Sequence, residues 1–215
     1  MNDDLQRKGT VTVAISLTVN VFLAGLKLIV GFTCFSQALV ADGIHSLVDI
    51  AGDVAALIGL RLAHLPKDED HPYGHHRFST LAALLISSLV LLFCLGLAWQ
   101  SLSGLVSGEV VKKPELAAAW VAGAALVIKE IFYQFARRQA ERLGSRLLMA
   151  NAADHRADAI ASFLALVAVV VAHFYPEWVA VDKVVGLVLA GWLGAEGIRL
   201  FKGACLDLID TAPEE

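Results

Sequence analysis

The chain has 215 residues, of which 57% are hydrophobic and 18% charged, with a net charge of -4 at pH 7. Soluble domains carry about 25% charged residues, so this composition, with a mean hydropathy of +0.67, indicates a membrane protein. The small net charge argues against a nucleic-acid partner, and cysteines without CxxC spacing argue against a disulfide framework or a structural zinc cluster.

Six apolar stretches are long enough to cross a bilayer, which takes about 20 helical residues each. None shows the alternating pattern of a membrane barrel, so we predict an all-α bundle of six transmembrane helices, forming one domain over residues 1–206. The stretches cover residues 11–32, 38–63, 78–105, 116–137, 145–174 and 178–201.

Basic residues are distributed unevenly between the connections. Four arginines lie between residues 137 and 146, and further basic residues precede the first stretch, follow the second and end the sixth. The opposite side has Lys112, Lys113 and little else. By the positive-inside rule, both termini are predicted to be cytoplasmic.

The second apolar stretch, ALVADGIHSLVDIAGDVAALIG, is the richest in polar residues. On a helix, Asp42, His45, Asp49 and Asp53 fall within an arc of about 80 degrees, while leucines and valines cover the remainder. This polar stripe is predicted to face protein or water. We expect Asp42 and Asp53 to line the aqueous approach on either side of His45 and Asp49.

The fifth stretch contains Asp154 and Asp158, which are four residues apart, as are His45 and Asp49. That spacing puts both side chains of a pair on one helix face, so two helices can bring four donors together. An ionisable group inside a bilayer costs about 2.5–3.5 kcal/mol on insertion scales, so these groups indicate function. Four O and N donors are typical of a divalent-cation site. A purely structural network would not require two such pairs on separate helices.

The depth of the pairs predicts where the fifth helix begins. Asp49 lies roughly 18 Å from the cytoplasmic end of its helix at 1.5 Å per residue. Asp154 reaches that depth only if the fifth helix starts near Arg142 and projects into the cytoplasm.

Three motifs together resemble the cation diffusion facilitator family of divalent-metal transporters. They are ADGIHSLVD in the second stretch, DHPYGHHRFSTLAAL leading into the third and DHRADA in the fifth. The resemblance implies a transport site on the second and fifth helices, at His45, Asp49, Asp154 and Asp158. It also implies metal export from the cytoplasm against a proton gradient, by a homodimer in the bilayer of a prokaryotic cytoplasmic or inner membrane or of an internal membrane.

The resemblance implies two further features. Asp68, His71 and His75 match the family's metal site in the cytoplasmic loop, although a solvated loop that binds nothing is the alternative. Residues 207–215 resemble the start of a linker to a cytoplasmic domain, which this chain does not contain.

Exchange of metal for protons is consistent with the ligand chemistry. Metal binding needs deprotonated carboxylates and a neutral imidazole, so loading of metal releases protons and loading of protons releases metal. No cofactor is expected, because the metal is the transported substrate.

The ligand set restricts the choice of metal. One imidazole with three carboxylates is harder than the two-histidine, two-aspartate set of the family's zinc-selective branch, because Asp154 stands where zinc exporters commonly carry histidine. Harder ligands favour manganese or iron relative to a histidine-rich site, although zinc still binds well. As the expected transported ion, we rank Zn²⁺ and Fe²⁺ equally, followed closely by Mn²⁺.

Three other functions could account for histidine and aspartate residues inside a membrane protein. A non-transporting, metal-binding scaffold that stabilises a partner transporter is the main alternative. An intramembrane metallohydrolase is less favoured, because no HExxH motif is present and four ligands would leave no position for water. A passive channel is disfavoured because a tight site releases ions slowly.

Overall fold

The described residues form six long helices and contain no strand. The computed structural model describes residues 2–63, 77–106, 112–143 and 146–209, with side chains from Thr18 onward except at 52–53, 55–63, 79, 143–148, 150–151 and 176. The helices are α1 (Asn2–Thr33), α2 (Gln37–Ala63), α3 (Arg77–Val106), α4 (Leu116–Leu143), α5 (Arg146–Phe174) and α6 (Ala180–Leu208), with a short 3-10 turn at Pro176–Trp178.

Each of the six predicted stretches corresponds to one helix, which confirms the all-α prediction. The expected start of the fifth helix near Arg142 is wrong. Arg142 belongs to α4, which continues to Leu143, and α5 begins at Arg146. Hydropathy marked only the membrane-embedded part of α4, while its polar final turns remain helical beyond residue 137.

Four helices are apolar enough over their described residues to cross a membrane. The qualifying segments are Thr80–Val106, Leu116–Arg142, Ala152–Phe174 and Ala180–Leu208, and α1 has a shorter apolar segment at Thr18–Thr33. Large apolar side chains cover the outside of the bundle: Phe22, Trp99 and Trp120 are 68%, 75% and 75% exposed. Such a surface is stable in lipid rather than in water.

Helix α2 lies inside the bundle, in contact with α1, α3, α5 and α6. The other close pairs are α4 with α5 and α3 with α6. Small residues permit these approaches: Ala118, Ala122, Ala165 and Ala168 form a buried seam between α4 and α5. At Gly31, an added Cβ would lie 2.9 Å from the backbone nitrogen of Val40, so α1 and α2 cross where only glycine fits.

A carboxylate of α6 fixes the beginning of α2. Asp182 accepts hydrogen bonds from the Ser36 hydroxyl at 2.7 Å and from the Gln37 backbone nitrogen at 2.6 Å. Ser36 in turn accepts from the Leu39 nitrogen at 3.1 Å. These contacts satisfy free N-H groups at the helix N-terminus, where negative charge is favoured. The start of α2 is thereby tied to α6.

Candidate metal centre

Three of the four predicted transport-site residues lie together between α2 and α5. His45, Asp49 and Asp158 each offer one ligand atom, and these atoms lie within 4.8 Å of one another. His45 Nε2 is 3.6 Å from Asp158 Oδ1, and the two residues are 9% and 4% exposed. Asp158 Oδ1 is buried without a hydrogen-bond partner. A buried acceptor of this kind needs a partner, and a metal ion bound between the three residues would provide one.

Asp154 lies outside this cluster. Its side chain is exposed, one helical turn from Asp158 toward the start of α5. Asp49 lies about 21 Å along α2 from Ala63, and Asp158 about 18 Å along α5 from Arg146, at 1.5 Å per residue. Asp154 lies only about 12 Å along α5 from Arg146, which is about 9 Å short of the depth of Asp49. The structure thus matches Asp158, rather than Asp154, to the depth of Asp49.

A buried lysine occupies the other oxygen of Asp158. Lys129 of α4 is 1% exposed, and its ammonium group donates a hydrogen bond to Asp158 Oδ2. The two carboxylate oxygens therefore have different partners, since Oδ1 faces His45 and Oδ2 faces Lys129. Lys129 lies inside the fourth apolar stretch, and the sequence alone does not show which acidic residue it meets.

The residue next to Lys129 forms a second link between α4 and α5. Glu130 Oε2 accepts from Arg156 Nη1 at 2.6 Å, and the Arg156 guanidinium lies 5.0 Å from the ring centre of Tyr133. Both partners are partly exposed, in contrast to Lys129 and Asp158. Adjacent positions on α4 thus serve different purposes, one at the metal centre and one at the surface.

Asp42 belongs to a separate, fully buried network. Its Oδ2 lies 2.9 Å from Lys27 Nζ and accepts from the Ser162 hydroxyl at 2.8 Å. Lys27 also donates to Ser46 at 3.1 Å and to Ser162 at 3.0 Å, so the network joins α1, α2 and α5. A pathway-lining role for Asp42 stays a prediction, and its observed contacts are those of a structural ion pair.

Other predicted positions lie outside what the structure describes. The side chain of Asp53 and the whole loop segment with Asp68, His71 and His75 are outside the described residues. Their predicted roles remain predictions.

An apolar layer separates the metal centre from a cavity at the α2 N-terminal end of the bundle. The cavity has a volume of about 350 Å³ and is lined by apolar residues and by polar ones, including Gln37, Gln100 and Lys183. Val40 and Leu97 line it and also belong to a buried apolar cluster with Ile44, Leu189 and Leu193. The Trp192 ring lies 5.7 Å from the ring of His45 and extends this apolar layer beside the candidate metal centre. By the positive-inside assignment, this cavity faces away from the cytoplasm.

The model of the cation efflux transmembrane domain matches residues 13–209. The chain belongs to the cation efflux family, the cation diffusion facilitators. This assignment confirms the resemblance seen in the sequence motifs. Cation efflux proteins are metal efflux transporters and not enzymes, so the metallohydrolase alternative is excluded. The chain is an integral membrane protein.

Several relatives of this cation efflux protein have metal-related names. It is 34% identical over 207 residues to the manganese efflux system protein MneS of Bacillus subtilis, covering 96% of this chain and 70% of that protein. It is 36% identical over 213 residues to metal tolerance protein C1 of Arabidopsis thaliana, covering 92% of this chain and 45% of that protein. It is 29% identical over 222 residues to mitochondrial metal transporter 2 of Saccharomyces cerevisiae, covering 92% and 46%. The chain thus spans about half the length of the last two.

Proposed function

We propose that this chain exports a divalent cation from the cytoplasm through a site formed by His45, Asp49 and Asp158, in exchange for protons. The observation that carries the proposal is the meeting of three ligand atoms within 4.8 Å, from two helices of a membrane bundle. Membrane-buried ionisable groups are costly, and a transported cation is what would compensate them here.

Asp154 completes the site in a second state. Three protein ligands leave a coordination position open for water or for a further ligand. The exposed Asp154 carboxylate lies one turn nearer the cytoplasmic end of α5, where it meets an arriving cation first. A shift of α5 along α2 by about one helical turn, about 5.4 Å, brings it to the bound ion. Asp154 therefore acts as a capture ligand, consistent with its predicted place in the transport set.

Manganese is the first substrate to test, with ferrous iron and zinc as competitors. The ligand set has one nitrogen and otherwise carboxylate oxygens, and carboxylates suit Mn²⁺. The relative MneS is named for manganese efflux. Zn²⁺ remains a strong competitor, because it binds more tightly than Mn²⁺ to most sets of N and O ligands.

Proton exchange follows from competition for the same atoms. A metal ion and protons bind the carboxylates and the imidazole of one site in alternation, so an inward proton gradient can drive metal outward. The apolar layer of Val40, Ile44, Leu97, Leu189 and Leu193 closes the route to the outer cavity in this conformation. Transport requires this layer to open after the cytoplasmic side has closed.

The test is metal flux in proteoliposomes containing the purified chain, with Mn²⁺, Fe²⁺ or Zn²⁺ under an imposed pH gradient. We expect flux that depends on the gradient and is lost in Asp49→Asn. The matched control is Asp207→Asn, a carboxylate bonded to Thr80 at the far end of α6. Metal binding without flux would favour the alternative, a scaffold that stabilises a partner transporter.

The homodimer stays a prediction, testable by light scattering of the protein in detergent.

A further inference from the structure

A fixed positive charge lies inside the proposed transport site. Lys129 is buried, 1% exposed, and its ammonium group is bonded to Asp158 Oδ2. A buried lysine has to be paired to remain charged, and Asp158 is its partner. Any metal ion bound by Asp158 Oδ1 therefore sits beside an ammonium group that repels it.

The same contact limits how Asp158 can bind metal. A carboxylate ligates through one oxygen or through both, and with Oδ2 bonded to Lys129 only Oδ1 is open. Ca²⁺ takes six to eight oxygen ligands and often uses both oxygens of a carboxylate. Transition-metal ions are satisfied with fewer ligands, including nitrogen, as His45 provides. The Lys129 contact thus discriminates against the ion that needs the second oxygen.

We propose that Lys129 is a positioning residue that restricts Asp158 to a single coordinating oxygen and, by its charge, lowers metal affinity and excludes Ca²⁺. The role rests on the proposed function, because it describes the same site. A lower affinity serves transport, since an ion held by desolvated carboxylates must be released at each cycle. Lys129 stays on Oδ2 throughout.

Substitutions at position 129 test the combined effect of the charge and of the contact with Asp158. In Lys129→Met, both oxygens of Asp158 are free and the repelling charge is gone, so we expect the dissociation constant for Mn²⁺ to fall at least about tenfold. Ca²⁺ should become a competitor for Mn²⁺, and both KM and maximal flux should fall, because release becomes slow. Lys129→Arg keeps the positive charge and a contact with Asp158, so Ca²⁺ should remain excluded in this variant. Unchanged Mn²⁺ affinity with no Ca²⁺ competition in folded Lys129→Met would overturn the proposal.

A double substitution distinguishes this role from helix packing. In an Asp158→Asn background, Lys129→Met should raise Mn²⁺ affinity less than it does in the wild-type background, because the repelling charge is removed but no second carboxylate oxygen is freed. An equal gain in affinity with and without Asp158 would contradict the assigned route. If Lys129 only holds α4 against α5, Lys129→Met lowers thermal stability in both backgrounds and alters neither affinity nor KM.

A measurement on the unsubstituted protein covers the case in which Lys129→Met does not fold. In protein carrying 15N-lysine, the ammonium signal of Lys129, assigned by its absence in Lys129→Arg, is followed as Zn²⁺ is added. We expect it to shift and persist, while the signal of the equally buried Lys27 stays in place. Loss of the Lys129 signal, or equal shifts of both lysines, would overturn the proposal.

The proposed function and the role of Lys129 can be contradicted separately. If wild type neither binds nor moves Mn²⁺ or Zn²⁺, the proposed function fails. If wild type does both and the Lys129 experiments give the contrary results, only the role of Lys129 fails.

Discussion

His45 Nε2 on α2 and Asp158 Oδ1 on α5 lie 3.6 Å apart. A tetrahedral zinc ion with bonds of about 2.0–2.2 Å holds its ligand atoms about 3.4 Å apart, so this pair needs almost no movement to bind one. The two helices are thus already at metal-binding distance, with Asp49 as the third donor.

Replacing Asp154 with histidine should change metal preference rather than abolish transport. The substitution adds an imidazole at the approach to the site, and imidazole favours Zn²⁺ over Mn²⁺. We expect Asp154→His to raise the Zn²⁺ to Mn²⁺ affinity ratio by about tenfold, measured by competition in a metal-binding titration. Asp154→Asn should slow metal uptake and leave a measurable affinity. Complete loss of binding in Asp154→Asn would show that Asp154 is an essential ligand in the resting state.

His45 and His173 offer a matched pair of histidine substitutions. His45→Gln removes a metal donor, and we expect Zn²⁺ affinity to fall by about 100-fold or more, since a lost ligand must be replaced by water. His173→Gln lies outside the site, where His173 Nδ1 is 2.9 Å from the Pro114 carbonyl oxygen. Its Zn²⁺ affinity should match wild type by isothermal titration. Equal losses in both variants would mean that the histidines act on folding.

The Lys27–Asp42 pair should contribute to stability rather than to metal binding. Lys27→Met leaves a buried carboxylate unpaired, which costs about 3–5 kcal/mol of unfolding free energy. Lys27→Met with Asp42→Asn should recover most of that loss, because Asn still accepts from Ser162. The measurement is unfolding of the purified protein in mixed micelles, with the exposed Lys202→Met as control. If Lys27→Met keeps wild-type stability and instead alters Mn²⁺ affinity, Asp42 acts in the metal pathway as the sequence suggested.

Two glycines of α1 should respond oppositely to alanine. At Gly31 an added Cβ would lie 2.9 Å from the Val40 backbone nitrogen, so we expect Gly31→Ala to destabilise the protein by about 1–3 kcal/mol. At Gly25 a Cβ meets nothing within 4 Å, so Gly25→Ala should be neutral or stabilising by up to about 1 kcal/mol. Thermal unfolding measures both. A tolerated Gly31→Ala would contradict the close crossing of α1 and α2.

The six helices could be predicted from the sequence, because the length of each apolar stretch is a local property of the chain. The spacing of His45 and Asp49 also predicted a shared face directly. The position of Asp154 relative to Asp49 depends on the axial register between α5 and α2. A difference of one turn in that register moves a side chain by about 5.4 Å. Spacing within one helix carries no information on that register.

The partners of the two buried lysines, Lys27 and Lys129, could not be predicted from the sequence either. Lys27 and Lys129 lie inside apolar stretches, where a buried lysine needs an acidic partner, and the sequence offers several aspartates. The choice of Asp42 and Asp158 follows from which helices pack together, which only the tertiary structure specifies. The signal in the sequence is the presence of a lysine within the apolar stretches that form α1 and α4.

The central claim is that one carboxylate-rich site couples metal export to protons, and Mn²⁺ flux in proteoliposomes with a proton gradient tests it most directly. Wild type and Asp207→Asn should accumulate Mn²⁺ in proportion to the imposed gradient, and Asp158→Asn should stay at the level of empty liposomes. Equal accumulation by wild type and Asp158→Asn, or wild-type flux that ignores the gradient, would contradict it.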